Sequence, residues 1–317
     1  MKILMFGRGA VATLYGWAFS KANHEVEYFV RPGRAAEYGE LLQVNVLDCR
    51  RKAQGELVSE RLQTRLRETL PEDHNFDLII ASVQHFNFKS VAEYLATRAS
   101  NATVLVFNNM WDEPAVAAAP LPKEQLAWGF PSGGGGYPNG VLRGALLKKV
   151  NFGTFGTDPT AREVAVRDLF RQTGFDIAEH RDFRGWLLVH FVLNGGIHAE
   201  GLMAGSHIRL NQIASHRRNA IRTMRELLPL LHERNVDFAV HKSDLALMKL
   251  PPWVGGMILG LAWKFYKPMR FIVESHTMPN DPLFTCRDLL QYAQERGIST
   301  PRLAAAVAHA RKAGHPV

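Results

Sequence analysis

Cysteine is scarce in this chain: 317 residues hold two, Cys49 and Cys286, neither near the other nor in a zinc or redox spacing. That excludes a disulfide framework and a thiolate metal centre, and it suits a reducing compartment. Metal ligation by other groups is not expected either, because His85, His198, His207 and His232 form no ligand spacing with carboxylates. Long Lys/Arg runs and interleaved basic and aromatic residues are also missing, although the net charge is +8. The basic residues are scattered, as Arg162, Arg167, Arg217, Arg218 and Arg222 illustrate. Nucleic acid and membrane are therefore not expected as partners, and a phosphate-bearing small molecule fits the excess better. No apolar run is long enough to span a bilayer: residues 253–263 fall short, and Gly255, Gly256 and Gly260 suggest a closely packed helix. The N-terminus turns polar by Arg8, too early for a secretory signal, so a cytoplasmic location is expected. Ser132 stands outside any GxSxG elbow, which removes support for serine hydrolase chemistry.

What is present is an ordinary globular balance of 46% hydrophobic and 21% charged residues. The length predicts two domains, 1–180 and 181–317, each able to bury a core. Residues 2–6 are an apolar run ending at Gly7, and Val11, Leu14, Tyr15 and Ala18 then fall at helical spacing. A second strand over 25–30 completes a β-α-β unit with parallel strands. Further strands are expected over 42–47, 77–83 and 103–107, and short β pieces broken by glycines 133–136 over 126–155. From residue 182 the pattern is helical, with helices expected over 186–203, 209–234, 252–265, 281–297 and 302–313. The fold class is thus α/β: a Rossmann-type parallel-sheet domain followed by an all-helical one.

Gly7-Arg8-Gly9-Ala10-Val11-Ala12 has the GxGxxA form of the dinucleotide fingerprint and sits between a strand and a helix. Gly7 permits the tight turn, Gly9 lets backbone approach a pyrophosphate, and Ala12 is small enough for helix and strand to pack closely. The diphosphate then meets free N–H groups at the helix start. After the second strand comes Val30-Arg31-Pro32-Gly33-Arg34, where an NAD site would place a carboxylate. Arg31 and Arg34 favour the extra phosphate of NADP, or else are solvated loop charges.

These features, with Asp77-Leu78-Ile79-Ile80-Ala81-Ser82-Val83, Phe107-Asn108-Asn109-Met110 and the helical second half, resemble the ketopantoate reductase (2-dehydropantoate 2-reductase) family over nearly the whole chain. The resemblance implies an NADPH-dependent oxidoreductase of pantothenate biosynthesis that reduces a 2-oxo acid between the two domains. It also implies roles for single residues. Asn108 matches the family's asparagine at the nicotinamide ribose or substrate, and Gln84 stands where a lysine is usual. On the first helix of the second domain, Trp186, His190 and Asn194 stand for a catalytic lysine and two asparagines, and Asp281 stands for a substrate-binding glutamate.

The missing lysine matters because hydride delivery to a ketone builds negative charge on its oxygen, which a cation or acid must neutralise. Trp186 cannot supply a proton near neutral pH. His190 lies one turn further and ordinarily titrates near neutrality, so it is a chemically competent substitute, or else a core histidine. Asn194 could bind substrate or cap local backbone, and Asp281 could bind substrate or, with Asn280, start a helix. The expected site is therefore His190, Asn194 and Asp281 for catalysis and Gly7 to Ala12, Arg31, Arg34, Gln84 and Asn108 for NADP. The expected function is reduction of a small 2-oxo acid; the alternative is an NADPH sensor that has lost turnover. Aromatic residues around 253–271 read as core or as a dimer surface, which leaves a homodimer open.

Overall fold

The computed structural model describes residues 1–277 and 280–313. β1 (Lys2–Phe6) leads through a glycine turn into α1 (Ala10–Lys21) and back to β2 (Glu25–Phe29). The chain continues through α2 (Arg34–Tyr38), β3 (Leu41–Asp48), β4 (Glu56–Gln63), β5 (Arg65–Arg67), β6 (Leu78–Ala81) and α3 (Phe88–Leu95). Then follow β7 (Thr103–Phe107), α4 (Pro114–Ala117), β8 (Leu126–Phe130), β9 (Gly133–Gly136), β10 (Leu142–Leu146), β11 (Lys149–Gly153), α5 (Ala161–Gln172) and β12 (Asp176–His180).

Eight strands form the main sheet in the order β12-β11-β8-β7-β6-β1-β2-β5. Its pairs are parallel except for β11 against β8. β6 and β7 are buried throughout, as expected of strands covered on both faces. From β1 the chain runs outward through β2 and β5, then returns to β6 on the other side of β1. The strand order therefore reverses at β1/β6, and a crevice opens beyond the carboxyl ends of those strands.

The expected strand over 42–47 forms as β3, but it belongs to a second, four-stranded sheet of order β4-β3-β10-β9. Its burial explains the separation. Leu42, Val44 and Val46 are buried whereas Leu41 and Gln43 are exposed, the alternation of a strand covered on one face only. The glycine run is itself a strand, β9, antiparallel to β10. A side chain at Gly135 would collide with the Arg143 carbonyl, and one at Gly136 with the Ser275 carbonyl. α1 packs against the main sheet and against β9 and β10, so residues 12–19 are buried all round, with Gly16 leaving room for the Tyr28 ring.

Two compact units emerge. The first comprises Met1–Asn108, Asp112–Phe183 and Glu274–Thr277. The second holds Asn109–Trp111, Arg184–Val273 and the C-terminal helices. Its elements begin with α6 (Phe183–Ala204), α7 (His207–Gln212), α8 (Ala214–Glu226) and α9 (Leu228–Glu233). They continue with α10 (Ala246–Lys249), α11 (Pro252–Phe265), α12 (Lys267–Ser275), α13 (Asn280–Glu295) and α14 (Pro301–Lys312). The helix expected over 209–234 is thus three helices: Ile213 is extended, and Pro229 stands in the first turn of α9, where its missing N–H costs nothing.

α6 runs through this core. Leu188 and Val192 pack with Met224, Leu227, Leu289 and Leu303. Gly195 and Gly196 bring it close to Leu289 and Met224, with no space for a methyl group at either position. Among the described residues α6 is the one helix long and apolar enough to cross a membrane, and 61% of its most apolar window is buried in protein.

Candidate functional site

In the first unit the site is built from turns at the carboxyl edge of the sheet. Gly7 has φ +102°, a conformation side chains rarely adopt, and its N–H donates to the Phe29 carbonyl at 2.9 Å. Gly9 is the N-cap of α1 and brings no side chain to the free N–H groups of the first turn. No atom lies within 4 Å of where a Cβ would stand on Gly7 or Gly9, so the space in front of the turn is open. Ala10 and Val11 are half-buried behind it, while Ala12 is fully buried. An open set of N–H donors at the positive end of a 12-residue helix fits a dinucleotide pyrophosphate.

Arg8 does not simply point into solvent. Its guanidinium lies 4.6 Å from the Tyr38 ring and 5.8 Å from the Tyr137 ring. The Tyr137 hydroxyl donates to the Arg8 carbonyl at 3.1 Å and lies 2.8 Å from Thr13 Oγ1, tying the fingerprint turn to α1. Arg34 lies 5.3 Å from the same Tyr38 ring and pairs with Glu37. Tyr38 therefore carries one guanidinium from each of two turns.

The turn after β2 has its own logic. The Arg34 N–H donates to the Arg31 carbonyl at 3.1 Å, and Gly33 has φ +82° and ψ −8°. Pro32 at the second position and glycine at the third make this a type II turn, which places Arg31 and Arg34 at its two ends. Glu68 accepts the Ala35 N–H at 2.7 Å. Bonds from the N–H groups of Ala35 and Gly33 hold its carboxyl below the usual range. Arg31 itself is exposed.

Gln84 follows β6 by three residues and is half-buried; its carbonyl accepts the Asn87 N–H at 2.9 Å. Asn108 follows β7 directly and is buried. Because Phe6 pairs with Ala81, and Ala81 with Val106, Gly7, Gln84 and Asn108 leave the same edge of three adjacent strands. A cavity of about 620 Å³, lined by Asp73, His74, Asp77, Ser100, Asn101 and Arg162 among others, lies at the opposite edge, where β6 and β7 begin.

In the second unit the site residues share one helix face. Trp186, His190, Asn194 and His198 recur every four residues on α6. The Trp186 indole stacks on the His190 ring, with centroids 5.1 Å apart and planes 14° apart. The expectation that His190 titrates near neutrality is not met. Burial pushes its pKa down from 6.5 to about 4 against the opposing charge of Asp244, so the ring is neutral at pH 7. Asn194 is half-buried on the next turn.

Asp281 lies in the first turn of α13, with Asn280 before it as the first helical residue. Its Oδ2 is 4.0 Å from His198 Nε2, and His198 Nδ1 is 2.9 Å from His207 Nε2. The His207 ring fits because residue 201 is glycine: a Cβ there would lie 2.7 Å from its Nε2. Sequence reasoning set His198 and His207 aside as lacking metal spacing, and among the described residues no cluster suited to a metal ion occurs. It missed that His198 continues the 186, 190, 194 progression and meets Asp281. The four-residue spacing was the available signal.

Residues 3–155 match the model of the family described as ketopantoate reductase PanE/ApbA. No curated protein sequence matches the chain. Solved structures align over nearly all of it at low identity. D-mandelate dehydrogenase with NADH and anilino(oxo)acetate superposes with TM-score 0.66 and 15% identity, covering 98% of this chain and 97% of its own. Dimeric ketopantoate reductase from Staphylococcus aureus gives TM-score 0.65 and 13% identity, covering 99% and 100%. 2-Dehydropantoate 2-reductase from Geobacter metallireducens GS-15 gives 0.64 and 17%, covering 99% and 100%. Residues 3–155 therefore carry the N-terminal domain of the ketopantoate reductase PanE/ApbA family, and the α/β chain, Rossmann-like sheet followed by helical C-terminal region, shares the fold of the solved ketopantoate reductases.

Proposed function

We propose that the chain is an NADPH-dependent reductase of a small 2-oxo acid, ketopantoate or a related compound, acting in the cytoplasm as a homodimer. The class, an NAD(P)-dependent oxidoreductase acting on a CH–OH/C=O pair, follows from the family of its N-terminal domain. The observation that carries the choice of coenzyme is the type II turn ending in Arg31 and Arg34, since residues 30–34, which follow β2 directly, include no acid. The fingerprint residues Gly7 to Ala12 receive the diphosphate, and Gln84 and Asn108 contact the nicotinamide half. Bound reduced nicotinamide supplies the hydride.

His190, Asn194 and Asp281 are the residues we assign to the substrate. With a pKa near 4, His190 acts as a neutral N–H donor to the substrate oxygen and does not release a proton itself. The proton that the substrate oxygen takes up then comes from water, and His198, bonded to His207 and facing Asp281, is the imidazole we assign to positioning that carboxylate. Turnover is tested by following NADPH loss with a panel of 2-oxo acids that includes ketopantoate and aromatic oxo acids. We expect oxidation with at least one member, a lower Kd for NADPH than for NADH, and slower turnover in His190→Ala with coenzyme binding intact.

A second reading has its own support. Tryptophan at the lysine position and an unprotonated His190 suit a protein that binds NADPH as a sensor. Tight NADPH binding with the whole panel inert favours the sensor, and any turnover that His190→Ala slows removes it.

A further inference from the structure

α11 turns Gly255, Gly256 and Leu259 toward protein and most of its other large residues toward solvent. Gly255 and Gly256 are buried. A Cβ on Gly255 would lie 2.8 Å from Ile221, and one on Gly256 would lie 2.9 Å from Arg218, both on α8. On the other side Trp253 is 64% exposed, Met257 52%, Leu261 49% and Phe265 63%, with Ile258 beside them at 42%. The first four recur every four residues and so form one continuous ridge along the helix. Lys264 is the one charged residue between Pro252 and Phe265. A helix that spends its bulk outward and its glycines inward is shaped for an outside contact.

We propose that this ridge is the surface through which two copies of the chain associate, α11 crossing its mate antiparallel about a two-fold axis that passes between Met257 and Leu261. The inference rests on the homodimer reading above and names its surface. A ridge of residues four apart packs into the matching groove of an identical helix, at a crossing of about −50°. The two-fold sets Met257 against Leu261 of the partner subunit and turns Trp253 toward Phe265 of the partner subunit. Lys264 then meets the opposite end of the mate and not the mate's own Lys264.

The area is sufficient. A large aromatic side chain carries roughly 150–250 Å², so the five exposed residues leave on the order of 500 Å² of apolar surface in water. Two copies remove on the order of 1,000 Å², where specific interfaces begin.

Sedimentation equilibrium of the full chain tests this. The expected mass at micromolar concentration is twice 35.5 kDa. Leu261→Asp, which would bury a charge at the centre of the ridge, weakens association by at least about 100-fold. Trp253→Ser, at its exposed end, weakens it by about 10-fold and serves if the first variant melts early. Circular dichroism of both variants should match the parent. If the parent dimerises and neither variant weakens it, the surface is wrong while the homodimer reading stands. A parent that stays at 35.5 kDa overturns both. A monomeric parent that sediments with phosphatidylglycerol vesicles through Leu261 overturns the proposal in favour of a lipid surface.

Discussion

The two units carry their polar groups in different ways. In the first, the groups aimed at a ligand are backbone N–H donors and guanidinium groups, held by turns whose shape depends on Gly7 and Gly33 and braced by Tyr38, Tyr137 and Glu68. In the second, they are side chains spaced along one buried helix, and their chemistry depends on the surroundings of each ring. A backbone cradle tolerates change in nearly every side chain except its glycines. A side-chain site changes character with one substitution, as tryptophan in place of lysine illustrates, or with one degree of burial.

That contrast can be broken most strongly at Gly9. Open space surrounds it, so Gly9→Asp should fold normally and yet place a carboxylate against the diphosphate. NADPH binding by calorimetry should weaken by about 100-fold or more, with the melting temperature unchanged. Retained binding would mean that the fingerprint is not the coenzyme site.

His190 supplies the matching test in the helical unit. Its folded pKa of about 4 lies below the free value of 6.5. The unfolded chain therefore takes up the proton first as pH falls. The stability that goes with the neutral ring is present above about pH 6.5 and is lost progressively down to about pH 4, by at most about 3 kcal/mol. Denaturant melts across that range should show the loss in the parent and a flatter acid limb in His190→Gln.

Smaller effects sharpen the reading of the second turn. Arg31→Ala should weaken NADPH by about 30-fold, near 2 kcal/mol, while changing NADH by no more than about twofold. Arg34→Ala should cost less, since Glu37 already shares that guanidinium. Tyr38→Ala removes the ring that both Arg8 and Arg34 face, and should cost NADPH about 3- to 5-fold, with Tyr38→Phe restoring only part of it, because the ring face holds Arg8 whereas Arg34 also bonds the hydroxyl. Equal losses for both coenzymes in these variants would assign the cluster to the diphosphate.

Much of the first unit is legible in the sequence. Strand, glycine turn and helix follow from apolar runs and spacing over residues 2–21, and the arginines after β2 stand where the local motif says to look. The expected helices over 186–203 and 252–265 correspond to α6 and α11. What local pattern did not disclose was the partition of strands into two sheets, since β3 and β10 pair across nearly a hundred residues. Nor did it disclose that His198 belongs with Asp281, because that proximity depends on how α13 packs on α6. Which of the two readings of His190 holds, titrating acid or core histidine, was open for the same reason: burial is a property of the whole core and not of the residue.

The amino-acid order by itself determined the dinucleotide turn, the arginine-bearing type II turn and the helical character of the second half, because glycine, proline and hydrophobic spacing act over a few residues. Tertiary structure alone decided that Tyr38 would join two arginines, that His190 would be neutral and that α11 would turn its large side chains outward. Each of those depends on contacts between segments far apart in the chain, where desolvation and packing, and not local preference, set the outcome.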